Sequence, residues 1–159
     1  MSHDRMAAHE LIHRWWVNYD EGRLEVLAGL LTEDCHTSCR TELGTHPFEA
    51  FIQADCRGRD AAMAWMRQHR RESPYPLRHQ AANVHVVAER DEELELLSYL
   101  FVTQLLELRP STLSSGLVSW TLRQTDDGYR VREQHVVLDS ITSAPFHEVA
   151  YVADREDAW

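Results

Sequence analysis

The apolar residues of this chain recur at about 3.6 positions over 6–31 and 61–70, ahead of Pro74 and Pro76, and the period changes to about 2 beyond them. A segment patterned for one period does not settle into the other, so the chain commits to helices first and strands afterwards. Consecutive strands joined by tight turns pair antiparallel, which points to the α+β class and away from a parallel doubly wound sheet.

Residues 6–19 place Leu11, Ile12, Trp15, Trp16 and Tyr19 on one broad face of a helix, which Gly22 is suited to cap in the left-handed conformation. A second helix is expected over 23–31 with Leu24, Leu27, Leu30 and Leu31 inward, ended by Thr32-Glu33-Asp34. The stretch 35–57 has no sustained period and reads as strand and loop. A third helix over 61–70, capped by Asp60, should bury Ala61, Ala62, Trp65, Met66 and His69 before Pro74 stops it. Strands follow at 78–88, 94–108, 116–124 and 129–139, the last pair joined by an Asp126-Asp127-Gly128 hairpin turn. Residues 94–108 are so apolar that they should form a central strand covered on both faces, bent by a bulge. The whole of 1–159 reads as one domain with a core over 6–141 and an acidic tail over 142–159.

Charge narrows the function classes. The formal net charge is −10, which disfavours nucleic acid and anionic membrane surfaces as partners. All 16 basic residues are Arg, so Schiff-base chemistry and a phosphate-loop Lys are excluded. There is no Gly-rich phosphate fingerprint, and no apolar run approaches the roughly 20 residues of a membrane helix. The polar, acidic start lacks a signal-peptide pattern, and a cytoplasmic location is expected. Cys35, Cys39 and Cys56 are then free thiols; Cys35, His36, Cys39 and His46 fit no standard zinc spacing, and neither metal nor cofactor is expected.

Four segments resemble the nuclear transport factor 2-like superfamily in its SnoaL-like branch. They are Tyr19-Asp20-Glu21-Gly22-Arg23 with Leu27 and Leu30-Leu31-Thr32-Glu33-Asp34; Gly58-Arg59-Asp60-Ala61; Arg78-His79 with Asn83-Val84; and Asp127-Gly128-Tyr129-Arg130-Val131 running to Val137-Leu138-Asp139. The resemblance implies a cone-shaped, curved antiparallel (mixed) sheet packed on three N-terminal helices and enclosing an apolar pocket. It also implies a hydrophobic small-molecule substrate, usually no cofactor, and a homodimer or higher homo-oligomer. Members of the superfamily include polyketide cyclases, scytalone dehydratase, ketosteroid isomerase and the small subunits of aromatic-ring-hydroxylating dioxygenases, so the fold leaves the reaction open.

Tyr19, Asp20 and His79 match a Tyr-Asp pair and a strand-opening His that lie in the pocket of scytalone dehydratase. A carboxylate beside an imidazole fixes its tautomer and makes it a proton donor or acceptor near neutral pH. The plain alternative is that Asp20 caps the following helix and His79 is a hydrogen-bonded core residue. A second pocket His of scytalone dehydratase has no counterpart on Ser98–Gln104, where Tyr99, Thr103 or Gln104 are the remaining hydrogen-bonding groups. Asn83 and His135 are further pocket candidates, with His85 behind them, while Trp16, Trp65, Tyr99 and Phe101 are expected as wall. Alternation would put Val131, Glu133, His135 and Val137 on one face. Arg67, Arg70 and Arg71 read as a solvated face that could attract a carboxylate. The expectation is a cofactor-independent cyclase, dehydratase or isomerase acting on a polyketide- or terpenoid-like molecule. The alternatives are a non-catalytic dioxygenase small subunit and a ligand-binding module.

Overall fold

The computed structural model describes residues 3–145, so the apolar tail residues Phe146, Val149, Tyr151 and Trp159 lie outside the described part. Helix α1 (Arg5–Asp20) starts where the Asp4 carboxylate accepts from the Ala7 N–H, and ends where Gly22 takes φ +65°. Its inward face carries Ala8, Leu11, Ile12, Trp15, Trp16 and Tyr19, as the spacing predicts. Helix α2 (Leu24–Gly29) is shorter than expected. Leu31 and Thr32-Glu33-Asp34 do not end it; they open strand β1 (Leu31–Thr41). Pairing decides this: the Val131 N–H donates to Leu30 O and Leu31 pairs with Val131, so a sheet ladder overrides the local helical pattern.

The unpatterned stretch resolves into the rest of β1, a single-turn helix α3 (Glu49–Ile52) and strand β2 (Ala54–Arg57). Helix α4 (Arg59–Glu72) is longer than predicted, and Gly58, not Asp60, occupies its cap position with φ +85°. Its buried side is Ala62, Met63 and Met66 with Trp65 and His69 half-buried, while Ala61 faces solvent. Two substantial helices and two short ones therefore stand where three were expected.

Strands β3 (Leu77–Arg90), β4 (Glu93–Leu106), β5 (Arg109–Thr125) and β6 (Gly128–Leu138) complete a six-stranded sheet in the order β2-β1-β6-β5-β4-β3. Among the described strands only β1 and β6 pair in parallel, so the sheet is mixed. Register shifts on β3 at Ala82/His85, on β5 at Leu113 opposite Val102/Thr103, and on β6 at Arg132 opposite Thr121/Leu122 bend it, because each bulge adds local twist. At Gly116 the strands approach so closely that a Cβ would lie 2.4 Å from Val137 O.

The helices all lie against one face. Leu94, Leu96, Ser98, Leu100 and Val102 of β4 turn toward them and are buried. Strand β4 is central, as predicted, but among the described residues its other face is not covered: Tyr99 is 46% and Phe101 43% exposed.

Candidate functional site

Asp20 is the last residue of α1 and His79 the third of β3, and α1 packs on β3. One carboxylate serves both donors of the histidine: His79 N–H donates to Oδ2 at 2.8 Å and Nδ1–H to Oδ1 at 2.5 Å. The side chains are 5% and 9% exposed. A carboxylate at a helix C-terminus meets the negative end of the helix dipole. The Arg70 guanidinium opposes that penalty by donating from Nε and Nη2 to the Asp20 carbonyl at 3.0 and 2.8 Å. Asp20 does not cap α2, whose cap residue Arg23 makes no side-chain bond. The His79 ring lies flat on Trp16, centroids 4.7 Å apart and planes at 8°, with Tyr19 edge-on at 5.3 Å. Held on three sides, the ring keeps Nε2 as its free nitrogen.

That ring forms part of the wall of a cavity of about 340 Å³ between the helices and the inner sheet face. The walls are mostly apolar, from Trp15, Trp16, Phe48, Ile52, Trp65, Met66, Leu100 and Val136. Asp20 does not line it; it stands behind His79 and acts on the cavity through that ring.

A second imidazole lines the same cavity. His69 stacks on Trp65 at 4.6 Å and 14°, lies 4.6 Å from Phe51, and its Nδ1 is hydrogen-bonded to the Tyr19 hydroxyl. Burial, reinforced by the charges of His79 and Arg70, pushes the His69 pKa down to about 4, so the ring is neutral at pH 7. Burial pushes the Tyr19 phenol well above its usual value and the Cys39 thiol up to about 12; both stay protonated. Cys39 is thus no nucleophile as it stands. Among the described residues, Trp16 Nε1, His69 Nε2, Thr37 Oγ1 and Gln134 Nε2 are buried without a hydrogen-bond partner, and all four residues line the cavity. Unsatisfied buried polar atoms are costly, and their convergence on one hollow marks where a ligand's polar groups would sit.

Residues 1–135 match the model of the SnoaL-like domain. The chain belongs to the SnoaL-like domain family. No curated protein sequence matches it. Among solved structures it is similar to an NTF2-like protein with a cystatin-like fold from Novosphingobium aromaticivorans, at 22% identity and TM-score 0.71 over 96% of this chain and 87% of that one. A candidate scytalone dehydratase from the same organism aligns at 16% identity and TM-score 0.68, over 89% of this chain and 88% of that one. The beta subunit of a candidate aromatic-ring-hydroxylating dioxygenase, also from that organism, aligns at 14% identity and TM-score 0.69, over 89% and 92%. At such identities the likeness establishes the shared fold.

In this SnoaL-like chain His79, Tyr19, Trp16 and Trp65 line one cavity with Asp20 behind His79, Gln104 lines it as well, and the other candidates lie elsewhere. Asn83 sits at φ +53° in the β3 bulge and faces solvent, the position its small polar side chain tolerates. His85 is exposed too. Tyr99 and Phe101 are on the open outer face, since β4 is apolar on both sides and alternation alone cannot orient it. Thr103, two positions on from Phe101, shares that outer face, where Gln80 reaches it at 3.4 Å; Gln104, in phase with Leu100 and Val102, lines the cavity.

His135 is on the wrong face because the β5–β6 pairing skips Arg132, which puts Gln134, Val136 and Leu138 inward. On the outer side its Nδ1 bonds Ser38 Oγ at 2.7 Å and its ring meets that of His36 at 4.8 Å. Gln134 was missed for the same reason. His69 was placed on the buried side of its helix by spacing, and its chemical role follows only from Tyr19 reaching it across 50 positions. The arginine cluster is a solvated face: Arg67 meets Glu25, Arg71 meets Glu72, and Arg70 is occupied by carbonyls. No helix among the described residues is long and apolar enough to cross a membrane.

Proposed function

We propose that this protein is a cofactor-independent enzyme, a lyase, isomerase or cyclase, that moves a proton on a flat apolar substrate of polyketide or terpenoid type. The observation that carries this reading is the pair of bonds from His79 to the Asp20 carboxylate at the wall of an apolar cavity. With Nδ1–H committed to Asp20, His79 Nε2 carries the lone pair that can take a proton from substrate carbon or oxygen. The imidazolium so formed is held by the Asp20 carboxylate below it and the Trp16 face beside it. The same Nε2–H then returns the proton to a leaving hydroxyl or to a neighbouring carbon. The aromatic walls exclude water and hold the substrate flat. Membership of a family in which the fold often serves catalysis is consistent with this.

The test is turnover of hydroxylated bicyclic ketones by wild type, Asp20→Asn and His79→Ala. Each variant should lose about 10²- to 10⁴-fold in kcat while keeping its melting transition. Full activity in both folded variants rejects the assignment.

One observation favours a second reading, the small subunit of a ring-hydroxylating dioxygenase: the outer sheet face exposes Tyr99 and Phe101, which fits assembly on a partner. Copurification with a larger iron-sulfur subunit in fixed ratio would support it; a self-contained homo-oligomer would reject it.

A further inference from the structure

Thr37 and Gln134 lie opposite each other in the parallel ladder between β1 and β6, and both residues line the cavity. They are 3% and 4% exposed. Thr37 Oγ1 and Gln134 Nε2 are each buried without a hydrogen-bond partner, so they are not bonded to one another. Their neighbours on the same face do not complete them. Cys39 and Val136 form the next inward pair along these two strands, and Trp120, opposite Gln134 on β5, donates its indole N–H to Ser98 Oγ at 3.1 Å. Two polar groups therefore stand side by side in an apolar floor, and leaving them unpaired costs the free protein stability.

The donor and acceptor inventory identifies what completes them. An amide donates at its nitrogen and accepts at its oxygen, and a threonine hydroxyl does both. A hydroxyl on the ligand accepts from Gln134 Nε2 and donates to Thr37 Oγ1 at once. With the two ends of the amide exchanged, the same hydroxyl donates to the amide oxygen and accepts from Thr37, so the match holds for either orientation. A carbonyl or ether oxygen only accepts. A charged group finds no counter-ion, because no Asp, Glu or Arg is among the described residues lining the cavity.

We propose that Thr37 and Gln134 form a hydroxyl-recognition site at the end of the cavity away from His79, selecting flat ligands that carry an alcohol or phenol group there. The sheet order puts three strand steps between β6, which carries Gln134, and β3, which carries His79. At about 4.8 Å a step the two ends lie roughly 14 Å apart along the sheet, and less across its curve, a span that suits two or three fused rings. A ligand held this way enters in one orientation, with its hydroxyl at β1 and β6 and its other end at His79. The inference rests on the reading of the cavity as a substrate site and does not depend on His79 acting as a base.

The experiment compares tetrahydro-2-naphthol with tetralin, which lacks only the hydroxyl, by quenching of tryptophan fluorescence in wild type, Thr37→Val, Gln134→Met and His79→Ala. Wild type should bind the phenol roughly tenfold more tightly than the hydrocarbon, the worth of about one hydrogen bond. Thr37→Val and Gln134→Met should each bring the two ligands to within about twofold, with tetralin bound as before, while His79→Ala keeps the preference. The melting temperature of the free protein is a second readout. Each variant replaces an unpaired buried polar atom by an apolar one of similar shape, so both should melt at or above wild type. A phenol that binds wild type no better than tetralin, the result expected if a water alone serves the two side chains, overturns the proposal. So does a preference that survives in either variant or disappears in His79→Ala, and so does a lower melting temperature in either variant, which would mean that its polar atom is satisfied within the fold. A preference intact in wild type with no turnover of hydroxylated bicyclic ketones by any form removes the acid–base reading and leaves this site standing, whereas turnover without the preference does the reverse.

Discussion

His79 gives both its backbone N–H and its ring Nδ1–H to the two oxygens of one carboxylate, Asp20, at 2.8 and 2.5 Å. The bidentate arrangement sets the imidazole's angle as well as its tautomer, because rotating the ring would break a bond the backbone holds in place. Asp20→Asn is isosteric and turns one of these acceptors into a donor. The expected result is an inverted tautomer, with the proton on Nε2 and no lone pair facing the cavity, and a fall in kcat of about 10²- to 10⁴-fold. Imidazole ¹⁵N chemical shifts of wild type and variant report the tautomer directly. An unchanged tautomer with lost activity would mean that Asp20 acts in another way.

Burial holds the His69 pKa at about 4 against an ordinary value of 6.5, which ties stability to pH. The folded state binds its proton later than the unfolded chain does, so stability is complete above about pH 6.5 and falls as pH drops toward 4. The group's contribution across that window is about 3 kcal/mol. His135, also lowered by burial and by His36, acts with the same sign. Urea unfolding of wild type and His69→Phe at pH 7 and pH 4.5 isolates the part due to His69. The stability lost between the two pH values should be smaller in the variant by about 2–3 kcal/mol.

Much of this site was legible because it is local. The face of α1 repeats at three and four positions, Gly22 marks where it stops, and Asp20 follows Tyr19 at that stop. What the sequence hid are the places where pairing overrides pattern. Leu31–Asp34 look helical beside α2 and become strand because β6 offers a ladder. The bulge at Arg132 shifts the phase by one residue, so His135 exchanges faces with Gln134, whereas Thr103 keeps the alternation of Tyr99 and Phe101 and shares their outer face. Tyr99 and Phe101 were misplaced for a different reason: Leu96, Leu97, Tyr99, Leu100, Phe101 and Val102 are apolar on both faces, and which face the helices cover is decided by tertiary packing.

Gly116 is required by close approach of strands. Its backbone conformation is ordinary, yet a methyl group there would meet Val137 O at 2.4 Å and Leu138 Cα at 2.8 Å, both backbone atoms that cannot rotate away. Gly116→Ala must therefore pry β5 from β6 at a point where Val136 and Leu138 line the cavity. The expected cost is about 1–3 kcal/mol. A thermal melt checks it, and a variant as stable as wild type would show that the strands are less tightly apposed.

The outer face of β4 carries the last prediction. Tyr99 and Phe101 are more than 40% exposed on a strand inside the sheet, an apolar surface of the kind that associates in water. Tyr99 and Phe101 are two positions apart on one face, opposite Leu117 and Ser115 of β5, so a partner would meet both together. If the protein self-associates through this face, Phe101→Glu places a charge at its centre, where burial without a partner costs more than the lost apolar contact. The expected outcome is a shift from homo-oligomer to monomer in sedimentation velocity, with the His79–Asp20 pair undisturbed because it lies on the opposite side of the sheet. An oligomer that survives both Phe101→Glu and Tyr99→Glu must be built on another surface, and a wild-type protein that sediments as a monomer leaves this face for a partner of a different kind.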